Sequence, residues 1–319
     1  MLCHHFAGTD FHAAVARLPE ALGTADVELP GLLQAVSGVL FGPVAPHLLN
    51  VRRLYIVPGG VLSGIPFECL QLPDGRTVVE QFAISYHSAW RGISTDGSGN
   101  RAREDDPGEG NCGLIAFAPS AGKEENLAAL AGAKGEAEEI ASMFMAHGRQ
   151  IKVFTGSAAG EAKLLDASES NGIIHIATHS RVDRQIPERS GLHLWKEPPS
   201  VTRDELVDGI LEMGEVRGLR LRCPLLTISS CAIQQPGHRN RIGSPSVPAD
   251  FLDAGAEQVI FSLWNVSDRH TRTLMTGFYR NYLNGDDFAE ALRKAKVTML
   301  RNPSTASPYF WAPFILSMQ

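Results

Sequence analysis

From residue 112 to residue 301 the chain alternates short, β-prone apolar runs with longer amphipathic segments. The apolar runs are CGLIAFA, QIKVF, GIIHIAT, PLLTISS and AEQVIFSLW. Between and after them stand segments with apolar residues at three- and four-residue spacing, among them KGEAEEIASMFMAHG and TRTLMTGFYRNYLNG. Strands that alternate with helices in this way pair mostly in parallel. The sequence therefore predicts an α/β fold with a mostly parallel sheet and helices on both faces.

The chain divides into a short helical part and a larger α/β part. Residues 1–50 carry apolar residues at helical spacing and are predicted to form a helical N-terminal extension. The α/β unit is expected to span residues 51–319. The sequence shows no repeat of about 34 residues, so we predict no tetratricopeptide array. Residues 94–111 are polar, charged and rich in glycine, and we interpret them as a mobile surface loop of this unit.

Two histidines stand four residues apart in the run NGIIHIATHS. On a helix, His175 and His179 would share a face and could hold one zinc ion. The β-branched residues around them favour a strand instead, where positions four apart are separated by about 13 Å. His175 is then expected inside the strand as a buried histidine bound to a neighbour. His179 is expected at the carboxyl end, where ligands and chemistry collect in an open parallel sheet.

A partner for His179 follows another predicted strand. Cys231 comes directly after PLLTISS, so that two strands of one sheet end in a histidine and a cysteine. If these strands are neighbours, the imidazole can take the thiol proton and make the sulfur a nucleophile. The alternative for Cys231 is a small buried apolar residue, and that interpretation also fits Cys223 at the other end of the same strand.

Composition excludes several functional classes. A net charge of −6 without a basic run gives no reason to expect direct nucleic-acid binding. No run approaches 18 apolar residues and no signal peptide is evident, so we expect neither a membrane partner nor secretion. The five cysteines are single and scattered, which fits free thiols in the cytoplasm. The sequence contains no CxxC pair, so we expect no structural zinc site. We also expect no cofactor.

Several segments resemble the CHAT peptidases, which are caspase-like and share a clan with caspases and separases. The resemblance covers roughly residues 51–319. It rests on LYIVPGGVLSGIPFECL, IIHIATH, LLTISSC, FLDAGAEQVIFSLWNVSD, FYRNYLNGDDFAEALRKAK and PYFWAPFIL, which stand in the family order. The resemblance implies a caspase-like fold in which His179 is the general base and Cys231 the nucleophile.

The resemblance also implies an oxyanion pocket of backbone N–H groups, those of Ser180 and Cys231. The sequence departs from the family at two places. Ser180 stands where the family usually has glycine, and AIQQPG follows Cys231 in place of a Glu-Thr-Gly-like segment. Ser180 can still donate its N–H if its backbone conformation is open to a residue with a Cβ. These departures concern the fit of the substrate more than the thiol chemistry.

Three residues are candidates for substrate binding. SLWNVSD resembles a separase stretch whose final aspartate receives a basic side chain, and the matching residue is Asp268. Asp268 could instead cap the following helix, or it could serve both roles. Asp183 is a second acid near His179, unless it is only a solvated loop charge. Ser229 stands where related basic-specific proteases often carry an acid, which weakens the expectation of arginine or lysine.

We therefore predict a cysteine endopeptidase with a Cys-His dyad that cleaves a protein substrate, after a basic residue. The alternative is a catalytically silent protease fold that serves as a binding or scaffold module, and a zinc hydrolase using both histidines is a third hypothesis. Family analogy adds a regulatory partner or sensor in trans and a role in bacterial defence or cell death, with a gasdermin-like effector as substrate. Arg239 and Arg241 are candidate self-cleavage positions, or simply exposed loop residues.

Overall fold

The computed structural model describes most of the chain. The described residues are 9–24, 26–87, 113–119, 131–183, 185–196, 207–230 and 247–318. Within them the helices are α1 (Thr9–Thr24), α2 (Leu29–Phe41), α3 (Val78–Gln81), α4 (Ala131–Ala146), α5 (Glu161–Ser168), α6 (Met213–Val216), α7 (Val247–Asp253), α8 (Asp268–Leu283), α9 (Phe288–Arg301) and α10 (Pro308–Trp311). The strands are β1 (Arg53–Ile56), β2 (Ala83–His87), β3 (Leu114–Ala118), β4 (Ile151–Thr155), β5 (Ile173–Thr178), β6 (Ser180–Arg181), β7 (Gly191–His193), β8 (Ile210–Glu212), β9 (Leu226–Ser230), β10 (Gln258–Ser262) and β11 (Phe314–Met318).

Eight strands form one sheet in the order β1-β2-β11-β10-β9-β5-β3-β4. The strands β10, β9, β5, β3 and β4 are parallel to one another. β11 runs antiparallel to β10 and parallel to β2, which in turn pairs in parallel with β1. Helices flank the sheet, with α4 on β3, β4 and β5, α9 on β2, and α7 on β10. The predicted α/β fold with a mostly parallel sheet is confirmed.

The central strands are rich in apolar residues because layers cover both faces of the sheet. β3 (LIAFA) and β5 (IIHIAT) are buried at every position. Near-continuous apolar runs are typical of parallel strands that are buried on both sides. This burial anchors the carboxyl ends of β5 and its neighbours, which is where the candidate site lies.

The first two helices pack into the same core as the sheet. Val15, Leu18 and Leu22 of α1 are fully buried, and α1 contacts α10. Val36 of α2 is fully buried in the same apolar cluster. None of the helices in the described ranges combines the length and apolarity needed to cross a bilayer.

Two parts of the architecture have no counterpart in the sequence-based prediction. β11 inserts between β2 and β10, antiparallel to β10. β6, β7 and β8 form a separate three-stranded antiparallel sheet. The predicted mobile loop 94–111 lies outside the described residues.

A buried ion pair joins α9 to the turn Phe67–Cys69, which precedes β2. Lys296 Nζ donates to Glu68 Oε1 at 2.6 Å, and the two side chains are 1% and 4% exposed. The hydroxyl of Tyr86, on β2, donates to the other carboxylate oxygen of Glu68 and accepts the N–H of Phe67 at 2.8 Å. Because each charged group has a partner, their burial is tolerated.

Replacing Lys296 with methionine should destabilise the fold strongly. Lys296→Met leaves the Glu68 carboxylate buried without its cation, which typically costs about 3–5 kcal/mol in the free energy of unfolding. Urea unfolding followed by circular dichroism measures this. The matched control is Lys294→Met, which removes an exposed pair with Asp286 and should cost less than about 1 kcal/mol. If the two substitutions lowered the free energy of unfolding equally, Lys296 and Glu68 would not be the stabilising buried ion pair described above.

A second buried carboxyl lies at the start of α5. Glu161 is 2% exposed, and its Oε2 accepts the backbone N–H of Gly209 at 3.0 Å, just before β8. Burial raises the pKa of Glu161 from its ordinary 4.5 to about 7. The N–H of Gly209 acts in the opposite direction, and the nearby charges of Glu215 and Asp208 raise the pKa further.

The raised pKa of Glu161 predicts a pH-dependent loss of stability. The folded state holds this proton more tightly than the unfolded chain, so the contribution is complete below about pH 4.5 and is lost as the pH rises through about 7. Glu161→Gln should therefore lose less stability than the native protein over this interval. Urea midpoints at pH 4.5 to 7.5 measure it, with the exposed Glu169→Gln as control. Parallel pH profiles for the native protein and Glu161→Gln would refute the prediction.

Candidate active site

The candidate site is at the carboxyl ends of β5 and β9. These strands are parallel neighbours, as the site hypothesis requires, and Thr178 is the register partner of Ser230. His179 follows Thr178 directly and is half-buried. Cys231 is the residue that follows Ser230 in the sequence, and it lies outside the described residues. The structure thus fixes the histidine and the strand that leads to the cysteine.

The small antiparallel sheet holds the backbone around His179. The N–H of His193 donates to the C=O of His179 at 3.0 Å. The hydroxyl of Thr178 donates to the C=O of His193. One residue further on, Ser180 of β6 is the register partner of Leu192 of β7. The histidine is therefore held on both sides by β7, and its position does not depend on a free loop.

Sequence reasoning missed this support, although a signal for it is present. In GLHLW the buried Leu192 and Leu194 alternate with the more exposed His193, which is the pattern of a half-buried strand. Ser180 lies in β6 with extended backbone, which any residue with a Cβ adopts. The change from glycine to Ser180 therefore introduces no backbone strain at this position.

Asp183 stabilises the turn that follows β6. Its Oδ1 accepts the backbone N–H groups of Gln185 and Ile186, each at 2.8 Å. These bonds hold the pKa of the Asp183 carboxyl below its ordinary value. Its own N–H donates to the hydroxyl of Ser190 at 3.0 Å. The carboxylate thus shapes the loop beside His179, and a direct role in substrate binding stays a prediction.

His175 is a structural histidine, as predicted. It is completely buried, and its Nδ1 lies 3.2 Å from the hydroxyl of Tyr279. That hydroxyl donates to Thr227 Oγ1 at 2.9 Å, so it accepts a hydrogen bond from His175. Nε2 of His175 is 3.0 Å from Oε1 of Glu136, without the alignment of a hydrogen bond. The ring thus ties β5 to α8 and to the neighbouring strand β9.

The zinc hypothesis gains no support from the described part of the chain. His175 lies inside a strand, which separates it from position 179 by about 13 Å. Across the described ranges, no three histidine, cysteine or acidic side chains are grouped so that they could hold a metal ion.

The two described cysteines are unsuited to nucleophilic chemistry. Cys223 is completely buried, as predicted, and burial raises the pKa of its thiol to about 12. Burial also raises the pKa of Cys69 far above its usual range. Its thiol donates to the C=O of Pro66 at 3.0 Å. Neither sulfur is a thiolate near neutral pH, which leaves the three cysteines outside the described residues as candidates, Cys3, Cys112 and Cys231.

Asp268 lies at the same edge of the sheet as His179. It is the exposed first residue of α8, and it follows the carboxyl end of β10. β10 is separated from β5 by β9, so the two strands are about 10 Å apart. The alternative that Asp268 caps the helix is wrong, because the N-cap position belongs to Ser267.

Neighbouring elements fix the segment that carries Asp268. Indole Nε1 of Trp264 donates to the C=O of Tyr309 at 3.0 Å, and the hydroxyl of Tyr309 donates to the C=O of Asn265 at 3.1 Å. Gly132 of α4 packs directly on the aspartate, since a Cβ there would lie 2.5 Å from Cβ of Asp268. Only glycine permits this close approach of α4 to the start of α8.

Ser229 lies on β9 and is buried, with Ala177 as its register partner. It shares a face of the strand with Thr227, because alternate residues of a strand point the same way. A contact of Ser229 with the substrate stays a prediction. The described residues of the site are thus a histidine held by β7, a fixed aspartate on α8 and a structured loop at Asp183.

Comparison with known proteins places the chain in a family. A family model described as the CHAT domain matches residues 31–319. Human tetratricopeptide repeat protein 28 is 25% identical over 308 residues, which cover 86% of this chain. The chain spans only 12% of the length of that relative.

Solved structures of cysteine proteinases share the fold. The Arg-specific cysteine proteinase gingipain R (RgpB) has a TM-score of 0.55 at 10% identity, covering 97% of this chain and 74% of that one. The complex of Porphyromonas gingivalis RgpB pro- and mature domains gives a TM-score of 0.51, also at 10% identity, covering 97% of this chain and 75% of that one. At such identity the likeness concerns the fold. Because the family model spans most of the sequence, the chain belongs to the CHAT-domain family, and its fold is caspase-like.

Proposed function

We propose that this protein is a cysteine endopeptidase with His179 as general base and Cys231 as nucleophile. Its caspase-like fold supports a proteolytic function. The observation that carries the proposal is the parallel register of Thr178 with Ser230. His179 and Cys231 are the next residues of these two paired segments.

The direction of the side chains supports the same pair. His175 and Thr227 are register partners, and both reach the hydroxyl of Tyr279, so they point to the same face of the sheet. Side chains along a strand alternate, so positions four residues further on return to that face. We therefore expect the imidazole of His179 and the sulfur of Cys231 to face one another.

The proposed reaction is acyl transfer through the thiol. The imidazole of His179 takes the proton of Cys231, and the thiolate attacks the carbonyl carbon of the substrate. Backbone N–H groups of Ser180 and Cys231 would stabilise the oxyanion. The protonated imidazole then gives its proton to the leaving amine as the peptide C–N bond breaks. Water, deprotonated by the same ring, hydrolyses the thioester and frees the sulfur.

Substitution of Cys231 tests the nucleophile. Cys231→Ala should lower cleavage of a peptide library by at least about 10³-fold, because losing a nucleophile removes the covalent route. The matched control is Cys223→Ala, which removes a buried, inert thiol and should leave cleavage intact.

Thiol labelling separates this function from a silent scaffold. A peptide carrying an electrophilic ketone should modify Cys231, as read by mass spectrometry of the digested protein, and His179→Ala should slow that modification. Cleavage that persists in Cys231→Ala, or a label found on another cysteine, would reject the proposal. Complete absence of labelling and of cleavage favours the scaffold.

We further propose that Asp268 receives the basic side chain before the cleaved bond. A charge-assisted hydrogen bond contributes about 1.5–3 kcal/mol, so Asp268→Asn should lower kcat/KM for arginine substrates by about 10- to 100-fold. Substrates with a neutral residue at that position should be unaffected. Gly132→Ala should have the same selective effect, since its Cβ would displace Asp268.

Gly38→Ala is the matched control, because a Cβ there meets open space on α2. An unchanged preference for arginine in Asp268→Asn would exclude the assignment. The substrate is proposed to be a protein, and family analogy makes a gasdermin-like pore former of a bacterial defence pathway the first one to assay, with regulation by a partner in trans.

A further inference from the structure

A surface groove of about 480 Å³ runs along α8, between α4 and α9. The α8 residues that line it recur every three or four positions and therefore share one helical face. They are Arg269, Arg272, Thr273, Thr276, Gly277, Arg280 and Asn281. Glu139 of α4 forms one wall, and Ala295, Thr298 and Met299 of α9 form the other.

The groove is basic on a chain that is acidic overall. Arg269, Arg272 and Arg280 are all exposed. Nε of Arg272 donates to Glu139 Oε2 at 2.7 Å, which offsets one positive charge. Among the described residues, Arg269 and Arg280 make no ion pair. The groove therefore carries a net charge of about +2, whereas the whole chain carries −6.

The polar residues between the arginines do not add anion-binding donors. The hydroxyls of Thr273, Thr276 and Thr298 donate to backbone C=O groups of their own helices, at 2.9, 2.8 and 2.9 Å. A hydroxyl has a single proton, so these groups present acceptors and methyl groups to a ligand. Recognition of negative charge thus rests on the guanidinium groups.

The spacing of the arginines sets the length of a matching ligand. Arg269 and Arg280 are eleven residues apart on α8, which is about 16–17 Å along the helix axis. An extended peptide rises about 3.3 Å per residue, so carboxylates about five residues apart would reach both arginines. Gly277 lies between them on the lining face, and a Cβ there would lie 3.4 Å from Cβ of Ala295, so α8 and α9 approach closely at the floor of the groove.

We propose that this groove binds an extended acidic segment of a partner protein, with carboxylates about five residues apart. A nucleic acid fits poorly, because each strand of a duplex carries one phosphate per 3.4 Å and the groove offers only two unpaired cations at its ends. The groove begins next to Asp268, so an acidic segment bound there lies beside the candidate active site. The binding does not depend on proteolysis.

The test uses the full chain carrying Cys231→Ala, which prevents cleavage. Peptides of Gly and Ser with two glutamates five residues apart are titrated into protein whose arginines carry an isotope label for NMR. The Nε–H resonances of Arg269 and Arg280 should shift, and the double variant Arg269→Glu with Arg280→Glu should weaken binding by at least about tenfold. The control Arg220→Glu reverses an exposed arginine outside the groove and should leave binding unchanged.

Three outcomes would overturn the proposal. The first is that a peptide with glutamine in place of both glutamates binds as tightly as the glutamate peptide. The second is that Arg220→Glu weakens binding as much as the double variant does. The third is that an oligonucleotide displaces the peptide and binds more tightly. If the charge reversals reduce the folded fraction seen by circular dichroism, Arg269→Gln with Arg280→Gln replaces them. That variant must still lose affinity for the proposal to stand. Because no step involves turnover, these results are independent of the proposed peptidase activity.

Discussion

The hydroxyl of Tyr279 holds the centre of this structure together. It accepts from His175 on β5 and donates to Thr227 on β9, and both residues are completely buried. An unsatisfied polar group at either position would be costly, so the bridge favours one register of the two strands over a slipped one. That register decides which residues stand at the two carboxyl ends. The candidate site therefore depends on a hydrogen-bonded tyrosine that is remote from the chemistry.

Much of this arrangement could be predicted from local sequence. The strands β5, β9 and β10 are short, β-prone runs rich in apolar residues, and α8 and α9 carry apolar residues at helical spacing, so their type and order follow from the local pattern. The β-branched neighbours in IIHIAT predict that His175 is buried inside a strand and that His179 stands at its carboxyl end. The site hypothesis requires that β5 and β9 are neighbours. The local sequence does not show this, whereas the strand pairing in the structure does.

What escaped prediction depends on long-range packing. FILSM could belong to any buried strand, and nothing local shows that β11 runs antiparallel between β2 and β10. The three strands of the small sheet have two or three residues each, too few for a clear period. The contact of Gly132 with Asp268 joins residues 136 positions apart, so the role of that glycine becomes visible only in three dimensions.

The position of β11 has a consequence for synthesis on the ribosome. β2 and β10 precede it in the sequence, yet each pairs with it on one side. Until residues 314–318 have left the exit tunnel, both strands therefore present a row of unmatched N–H and C=O groups. A message truncated just before that point would yield a polypeptide with two open edges in the middle of its sheet, the kind of surface on which chains aggregate.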